Sequence, residues 1–462
     1  GRKRLMIDFE GISEFIKGIE LTNIKQVDMG EVDEVLDIAL EAKGLSLQQV
    51  AVLLSDLAEE QESRLYNAAL EIKKRIYGNR LVMFAPLYVT NECTNGCLYC
   101  GFSKDNNQLE RKTLSIEETI NEIRSLEAEG HKRILLVAGE HPKYSNVQKV
   151  SEYIKSIYEQ TGIRRINVNM APLEIEEFQI LKKAGIGTYQ LFQETYHPKV
   201  YSEMHPYGKK ADYNYRLYGP TRAITAGIDD VGIGALLGLF DYRFELLALL
   251  QHANSLEKDT GVGPHTISIP RLKPAEGASF KYTRYPITDQ QFKKVVSILR
   301  LAVPYTGIIL STREKPELRD ELLNLGISQL SAGSSTSPGG YAQKVTHSAQ
   351  FEVDDHRTLN EMLKSICSTG MLPSFCTACY RRNRTGHDFM DLAKTGEIKE
   401  FCQVNAILTF KEHLLDYGDK QLKEIAAKVL QEEISRIRDK KLRALAKQKL
   451  SLTEQGLRDQ HI

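Results

Sequence analysis

The sequence predicts an α/β protein: a (β/α)8 TIM-type barrel with an N-terminal helical extension and a mainly helical C-terminal domain. Three observations support this fold class. The chain has 462 residues, which leaves room for a barrel of about 250 residues with additions at both ends. Its middle part alternates short β-rich runs with helix-like segments, as parallel βαβ units do. Apolar residues recur at helical spacing on either side of that part.

Residues 1–80 are predicted to form the helical extension. Stretches such as VDEVLDIAL and LSLQQVAVLLSDL repeat apolar residues at helical spacing, with charged residues between them. Ser46 followed by Gln49 gives the capping-box pattern that starts a helix. We therefore expect amphipathic helices over residues 9–79 that pack against the main domain.

Eight β-rich runs predict the strands of the barrel, because a closed parallel α/β barrel has eight strands. A Gly/Ser/Pro-rich loop at 333–340 ends this part of the chain. We therefore place the barrel domain at 81–340 and the C-terminal domain at 341–462. The runs are residues 85–91, 133–139, 165–171, 186–192, 229–235, 265–270, 305–312 and 327–333.

The composition argues against several classes of partner. Lysine and arginine together number 61, as do aspartate and glutamate, so the formal net charge is zero. Such a chain lacks the broad electrostatic attraction that binds nucleic acid or anionic membranes. Its apolar runs are also too short to span a membrane. The C-terminal stretch EEISRIRDKKLRALAKQKL interleaves acids and bases, so we expect one solvated helix rather than a nucleic-acid-binding arm.

The seven cysteines indicate a metal protein of a reducing, cytoplasmic compartment. Their odd number, their tight grouping and the lack of an apolar leader in GRKRLMIDFEG argue against a disulfide scaffold. Cys367 has no neighbour at the spacing of metal ligands and is predicted to be a buried helix thiol. The other six cysteines form two groups: Cys93, Cys97 and Cys100, and Cys376, Cys379 and Cys402.

The first cysteine group directly follows the first predicted strand. In a parallel barrel the loops after the strands build the active site. Three thiolates within eight residues can hold a soft metal centre, either a zinc ion with a fourth protein ligand or a four-iron cube with one open iron. Gly96 and Gly101 allow the backbone to curl closely around such a centre.

The pattern C-x3-C-x2-C, with the aromatic Tyr99 beside its last cysteine, resembles the signature of the radical S-adenosylmethionine (SAM) superfamily. The resemblance implies that Cys93, Cys97 and Cys100 hold a catalytic [4Fe-4S] cluster whose open iron binds SAM. It implies that one electron then cleaves SAM to a 5′-deoxyadenosyl radical. Tyr99 is expected to lie beside the adenine of SAM.

Further cofactor-binding residues are implied by the same resemblance. Gly139 and Glu140 stand in VAGE, which resembles the superfamily's GGE motif with Ala138 in place of its first glycine. Gly232, in GIG on the fifth strand, resembles the segment that flanks the adenine, although a GxG in an apolar run more often reflects close packing.

Glu194 and Arg216 are candidates to contact the carboxylate or ribose of SAM. Glu194 stands in QETY at the end of the fourth predicted strand, and Arg216 follows in the next helical stretch. For Arg216 a surface ion pair is the alternative.

The second cysteine group, C-x2-C-x22-C, predicts a second metal site. The residues themselves leave two possibilities open, namely zinc with His387 as fourth ligand or a second iron–sulfur cluster. Arg381, Arg382 and Arg384 beside it would stabilise an anionic cluster, or they form a solvated basic turn.

A radical SAM barrel followed by this cysteine tail resembles the HydG family of [FeFe]-hydrogenase maturases, which are tyrosine lyases. The related ThiH family shares the barrel but lacks the tail. The resemblance implies that Cys376, Cys379 and Cys402 hold a second [4Fe-4S] cluster with an additional labile iron. His265, at the start of the sixth strand, matches the family's histidine ligand of that iron. We expect the two clusters at opposite mouths of one internal channel.

Substrate binding is expected at the ends of the last strands. Related aromatic amino-acid lyases hold their substrate through an arginine and a serine, which correspond to Arg313 and Ser331 here. Arg271 is a weaker candidate, and an ordinary ion pair is the alternative for each arginine.

The resemblance implies a radical SAM L-tyrosine lyase. It would cleave the Cα–Cβ bond to p-cresol and dehydroglycine, and then convert dehydroglycine to carbon monoxide and cyanide for hydrogenase H-cluster assembly. The implied partners are L-tyrosine, SAM, an electron donor and other hydrogenase maturation proteins. The alternatives are a 2-iminoacetate synthase of thiamine thiazole biosynthesis and a non-catalytic iron–sulfur scaffold or carrier.

Overall fold

The structure is a computed structural model that describes residues 8–25, 28–280, 282–345, 347–381, 385–386 and 398–462. Its centre is a closed barrel of eight parallel strands, as the sequence predicts. Their order around the barrel is β2-β3-β4-β5-β6-β7-β8-β1, and the pairing of β1 with β2 closes the ring. The strands are β1 Arg80–Thr90, β2 Arg133–Ala138, β3 Arg165–Asn169, β4 Thr188–Glu194, β5 Asp230–Ala235, β6 Thr266–Ser268, β7 Gly307–Leu310 and β8 Gln329–Ser331.

Helices connect the strands and cover the outside of the barrel. Three short helices follow β4, where most connections have one, and they add a segment above the carboxyl ends of the strands. The helices before the last barrel strand are α1 Phe9–Lys25, α2 Met29–Ala39, α3 Leu47–Leu54, α4 Glu59–Tyr77, α5 Ile116–Ala128, α6 Val147–Gln160, α7 Ile175–Ala184, α8 Pro198–Met204, α9 Tyr213–Leu217, α10 Gly219–Thr225, α11 Tyr242–Thr260, α12 Asp289–Ala302 and α13 Pro316–Leu322.

The N-terminal extension is helical, as predicted. Ser46 accepts a hydrogen bond from the Gln49 amide, and the Gln49 side chain accepts one from the Ser46 amide, so the capping box starts α3. The extension packs on α11 and α12, and its apolar residues join the core that lies between strands and helices. It therefore covers one side of the barrel.

The interior of the barrel contains polar side chains. Asn167, Gln190, Thr266 and Gln329 are all buried there, each on a different strand. Apolar packing is concentrated on the outer faces of the strands. The barrel axis therefore offers hydrogen-bonding groups along its length.

A ninth strand, β9 Leu372–Ser374, was not predicted. It pairs in parallel with the first residues of β1, from Arg80↔Leu372 to Val82↔Ser374, whereas β2 pairs with β1 only from Ala85 onward. A three-residue strand containing a proline gives no sequence signal, and it is tolerated at a sheet edge. This pairing fixes the following residues, including Cys376, at the amino-terminal end of the barrel.

The C-terminal region is mainly helical, as predicted. The expected single charged helix at its end is wrong, because the chain breaks after Arg436 and Asp439 caps a new helix through the Leu442 amide. Cys367 is a buried helix thiol, as predicted, with 3% of its surface exposed. The helices are α14 Leu359–Ser368, α15 Ala378–Arg381, α16 Ile398–Asp416, α17 Lys420–Arg436 and α18 Lys440–Glu454. In the described ranges, none of these or the earlier helices combines the length and apolar character of a membrane span.

Candidate active site

A cavity of about 210 Å³ opens at the carboxyl ends of the strands, and we call it the upper cavity. Polar and aromatic residues from nearly every strand end line it, as in other parallel barrels. The structure brings ten of the predicted site residues together here. They are Cys93, Cys97, Tyr99, Cys100, Gly139, Glu140, Glu194, Arg216, Arg313 and Ser331.

The cysteine loop is held by backbone contacts from distant segments. The Gly101 amide donates to the Gln350 carbonyl at 3.0 Å, and the Leu98 amide donates to the Met204 carbonyl at 3.1 Å. A Cβ on Gly101 would lie 2.2 Å from the Ala349 carbonyl oxygen, so only glycine allows this close approach. The three cysteines are therefore presented by a loop that is fixed from both sides.

The donor set of this loop fits an iron–sulfur cluster. Burial raises the pKa of Cys97 to about 12 and that of Cys100 to about 11, so both are neutral thiols without a metal. A positively charged metal centre would supply the charge that stabilises the thiolates. In the described part of the chain, no three His, Cys, Asp or Glu side chains already stand in the arrangement that binds a single metal ion.

Two amide side chains reach the cysteine sulfurs. Asn95 Nδ2 lies 3.7 Å from Cys93 Sγ and donates at 2.6 Å to Glu140 Oε2, while Gln350 Nε2 lies 3.9 Å from Cys100 Sγ. Donors directed at ligand sulfur stabilise its negative charge and tune the potential of a cluster. Sequence reasoning missed both residues, because an isolated Asn or Gln in a loop carries no signal of its own.

Tyr99 is fixed at the wall of the upper cavity. Its hydroxyl lies 2.9 Å from His205 Nε2, and the two rings meet edge to face. The Lys210 ammonium lies 5.6 Å from the centre of the Tyr99 ring. The tyrosine ring is thus held in one orientation beside the cysteine loop.

Glu194 is the centre of a buried charge cluster. Lys210 Nζ lies 2.8 Å and Arg216 Nη2 lies 3.5 Å from Glu194 Oε1, and Arg216 Nε donates to the Phe192 carbonyl at 2.7 Å. Burial raises the pKa of the Glu194 carboxyl, but the two cations lower it more, so it is ionised. Arg216 is buried, which excludes the alternative of a surface ion pair. Two adjacent lysines, Lys209 and Lys210, are typical of an exposed segment, so the sequence did not predict Lys210 as a site residue.

Arg313 and Ser331 face the same cavity from neighbouring strand ends. The Arg313 guanidinium carbon lies 3.4 Å from the centre of the Phe351 ring. Among the described residues no carboxylate forms an ion pair with Arg313, and burial lowers its pKa. A substrate carboxylate would complete this site. Arg271 instead pairs with Glu314 and Asp289, so the ion-pair alternative holds for it.

The two predicted cofactor glycines differ in position. Gly139 lines the upper cavity, and a Cβ there would lie 2.4 Å from the Glu92 carbonyl oxygen. Gly232 is not brought to this cavity. It lies inside the barrel, where a Cβ would lie 2.5 Å from Thr266 Oγ1, so close packing of strands explains the glycine.

A second cavity, of about 50 Å³, lies at the amino-terminal end of the barrel, and we call it the lower cavity. The β9 pairing brings Cys376 here, and Arg133 Nη2 donates to the Cys376 carbonyl at 2.7 Å. It is lined by four of the predicted metal ligands, namely Cys376, Cys379, Cys402 and His265.

The lower cavity combines soft ligands with buried cations. His265 Nδ1 lies 3.6 Å from Asp230 Oδ1, and burial lowers the pKa of His265, so the imidazole is neutral and able to bind a metal. Arg80 and Arg133 also line the cavity and oppose the charge of thiolates. This set fits an anionic iron–sulfur cluster with a nearby nitrogen ligand. His387, Arg382, Arg384 and the side chain of Arg381 lie outside the described residues.

Comparison with known proteins finds two family models that match the middle of the chain. A profile of the Radical SAM superfamily matches residues 87–253, and one of the Biotin and Thiamin Synthesis associated domain matches residues 268–372. The 2-iminoacetate synthase of Salmonella typhimurium strain LT2 is 32% identical over 356 residues, which is 77% of this chain and 93% of that protein.

Two solved structures extend the likeness to the C-terminal region. A HydG maturase of the [FeFe]-hydrogenase is 47% identical, with a TM-score of 0.94 and 99% of both chains covered. HydG from Carboxydothermus hydrogenoformans is 41% identical, with a TM-score of 0.84, covering 96% of this chain and 98% of that one. The likeness therefore includes the segment that carries the second cysteine group.

Proposed function

Because the chain belongs to the radical SAM enzyme family that includes the 2-iminoacetate synthases and the HydG maturases, we propose that it is a two-site L-tyrosine lyase. It cleaves the Cα–Cβ bond of tyrosine to p-cresol and dehydroglycine at the upper cavity. It converts dehydroglycine to carbon monoxide and cyanide at the lower cavity. The observation that carries this proposal is the presence of one cysteine triad at each end of the same barrel.

At the upper cavity, Cys93, Cys97 and Cys100 would hold the [4Fe-4S] cluster. When bound, the cluster and SAM supply a 5′-deoxyadenosyl radical. Glu140, in contact with Asn95, and Glu194, in contact with Lys210, offer carboxylates to the amino and ribose groups of SAM. Gly139 lets the backbone lie close to the cysteine loop.

Tyrosine would be held by the opposite wall. Arg313 provides a planar fork for its carboxylate, and Ser331 provides a hydroxyl from the adjacent strand. Fixed placement of the substrate can be worth an effective molarity of roughly 10⁵–10⁸ M. The enclosed walls also keep water and competing hydrogen donors away from a reactive radical.

At the lower cavity, Cys376, Cys379 and Cys402 would hold a second [4Fe-4S] cluster. His265 would bind an additional labile iron through its neutral imidazole. That iron would supply a binding site for the two diatomic products. The polar interior of the barrel, with Gln190 above and Gln329 below, gives dehydroglycine a hydrogen-bonding path between the cavities.

A 2-iminoacetate synthase is the second candidate. It is favoured by the relative from Salmonella typhimurium, which carries that name and whose likeness covers 77% of this chain. Such an enzyme would stop at dehydroglycine. The lower cavity with its three cysteines favours the two-site reaction instead. A scaffold that only carries iron and sulfur would need no site for tyrosine.

The test is anaerobic reconstitution with iron and sulfide, followed by incubation with SAM, dithionite and tyrosine. We expect p-cresol, carbon monoxide and cyanide in comparable amounts. Formation of p-cresol without carbon monoxide and cyanide would support the 2-iminoacetate synthase. Iron transfer without SAM cleavage or p-cresol would support the scaffold and overturn the lyase.

The proposed reaction also needs partners. Reductive cleavage of SAM requires an electron donor, and the assembled iron product requires a receiving protein among the other hydrogenase maturation proteins. Both belong to the proposal.

A further inference from the structure

We infer that Glu245, which touches neither cavity, is a positioning residue that holds Glu194 in its strained conformation for SAM. This inference rests on the proposed role of Glu194 as a SAM contact. Glu245 lies behind the wall of the upper cavity and does not line it.

Glu194 has a backbone conformation that non-glycine residues rarely adopt. Its φ is 71°, and the Thr195 amide donates to the Gln193 carbonyl at 3.0 Å, which closes a three-residue turn around it. A turn of this kind with positive φ is rare and strained. The register between β4 and β5 also shifts between Phe192 and Glu194, so an extra residue is accommodated there.

Such strain persists only where the surroundings enforce it. The Leu236 amide donates to the Glu194 carbonyl at 2.7 Å from the neighbouring strand end. This contact holds one side of the turn. Thr195 and Tyr196, which follow the turn, are both fully buried and need partners for their polar groups.

Glu245 supplies those partners. The Thr195 hydroxyl donates to Glu245 Oε1, and the Tyr196 amide donates to Glu245 Oε2 at 2.9 Å. Glu245 is in the first turn of α11 and has no exposed surface. His252 on the same helix binds the Tyr196 hydroxyl at 2.8 Å, so α11 grips this segment at two points.

Glu194 connects these contacts to the upper cavity. With Thr195 and Tyr196 fixed, the Glu194 carboxylate is directed toward Lys210 and Arg216 at the cavity wall. Without Glu245, two buried donors would lose their acceptor, and the turn would relax toward an ordinary extended strand. The Glu194 carboxylate would then leave its place, although no cavity residue had been changed.

The test compares SAM dissociation constants of the reconstituted holoenzyme. Glu245→Leu removes both acceptors at similar volume and is expected to weaken SAM binding about tenfold, the effect of losing one such hydrogen bond. Glu245→Gln keeps an acceptor for Tyr196 and is expected to restore most of the affinity. Glu122→Leu is the matched control. Glu122 is also a buried carboxylate that accepts hydrogen bonds from two amides, those of Tyr341 and Ala342. Its loss is expected to leave SAM affinity within about twofold of the wild type.

A double-mutant cycle with Glu194→Gln separates positioning from general damage. If Glu245 acts through Glu194, Glu245→Leu causes no further loss of SAM affinity in the Glu194→Gln background. Additive losses would overturn the inference, as would unchanged SAM affinity in Glu245→Leu alone. If Glu194→Gln itself binds SAM normally, the proposed role of Glu194 fails and the positioning role fails with it.

A second pair of variants covers the case in which Glu245→Leu does not fold. Thr195→Val removes the hydroxyl that contacts Glu245, and Thr195→Ser keeps it. We expect weaker SAM binding only in the valine variant. Equal affinities in the two variants would overturn the inference.

Discussion

Gln329 and Ser331 lie two residues apart on β8, yet Gln329 lines the lower cavity and Ser331 the upper cavity. Residues two apart on a strand share a face and are separated by about 7 Å. On β8 the linings of the two cavities are therefore about 7 Å apart. Such closeness would support the proposed transfer of dehydroglycine from the upper to the lower cavity.

Arg313→Lys is expected to raise the KM for tyrosine at least about tenfold, because an ammonium cannot form the two parallel hydrogen bonds of a guanidinium. Uncoupled SAM cleavage should continue, since the SAM side of the cavity is unchanged. Steady-state p-cresol formation against tyrosine concentration measures the effect. Arg271→Lys is the matched control, because Arg271 pairs with Glu314. An equal rise in KM in both variants would contradict the assignment.

Lys210→Met is expected to shift the pH dependence of SAM binding. Lys210 and Arg216 hold the pKa of Glu194 below its ordinary value despite burial, so the carboxylate persists into mild acid. Without Lys210, the pKa of Glu194 rises. As the pH falls, the variant therefore loses SAM affinity at a higher pH than the wild type does. Titrations of SAM between pH 5 and 8 would show this shift, and superimposable profiles would contradict it.

Part of this site follows from the sequence and part does not. The strands and the cysteines follow from alternation and spacing, which are local properties. Lys210 and Gln350 come from irregular segments whose place depends on tertiary contacts, such as the Gly101 amide bonded to the Gln350 carbonyl. Strand β9 depends on the early start of β1 rather than on its own three residues. The helix break before Asp439 depends on the cap that Asp439 forms, and the charged pattern of the sequence continues across it without a visible change.

His265→Ala is expected to remove the labile iron while both four-iron clusters remain. The reason is that the neutral imidazole is the predicted protein ligand of that iron. Electron paramagnetic resonance of the reconstituted protein measures the two species separately. Formation of p-cresol should be retained, because the upper cavity is untouched. Retention of the labile-iron signal in the variant would show that His265 is not its ligand.

The free energy of unfolding is expected to depend on pH through the buried carboxyl of Glu245. Burial and, to a smaller extent, Asp241 raise the pKa of Glu245 to about 8, although the hydrogen bonds from Thr195 and Tyr196 lower it. The folded state therefore favours the protonated acid. Protonated Glu245 therefore adds to the free energy of unfolding. This stabilisation is complete below the pKa of the unfolded state and is lost as the pH rises through about 8.

The loss is on the order of 5 kcal/mol in the free energy of unfolding, since one pKa unit is about 1.4 kcal/mol. Equilibrium unfolding of the wild type and of Glu245→Gln from pH 5 to 9 measures this loss. The difference between the two proteins gives the part that is due to Glu245. The glutamine variant does not titrate and should lose less stability over this range. Parallel curves would contradict the raised pKa.

In the proposed reaction, tyrosine is cleaved at the upper cavity and its two-carbon fragment is converted at the lower cavity. The direct test follows carboxyl-¹³C tyrosine in wild type and in the double variant Cys376→Ser/Cys379→Ser, with p-cresol and ¹³CO measured in the same reaction. We predict that the variant forms p-cresol as the wild type does, forms no ¹³CO and accumulates the labelled two-carbon fragment. Undiminished ¹³CO from the variant would contradict the division of the reaction between the two ends of the barrel.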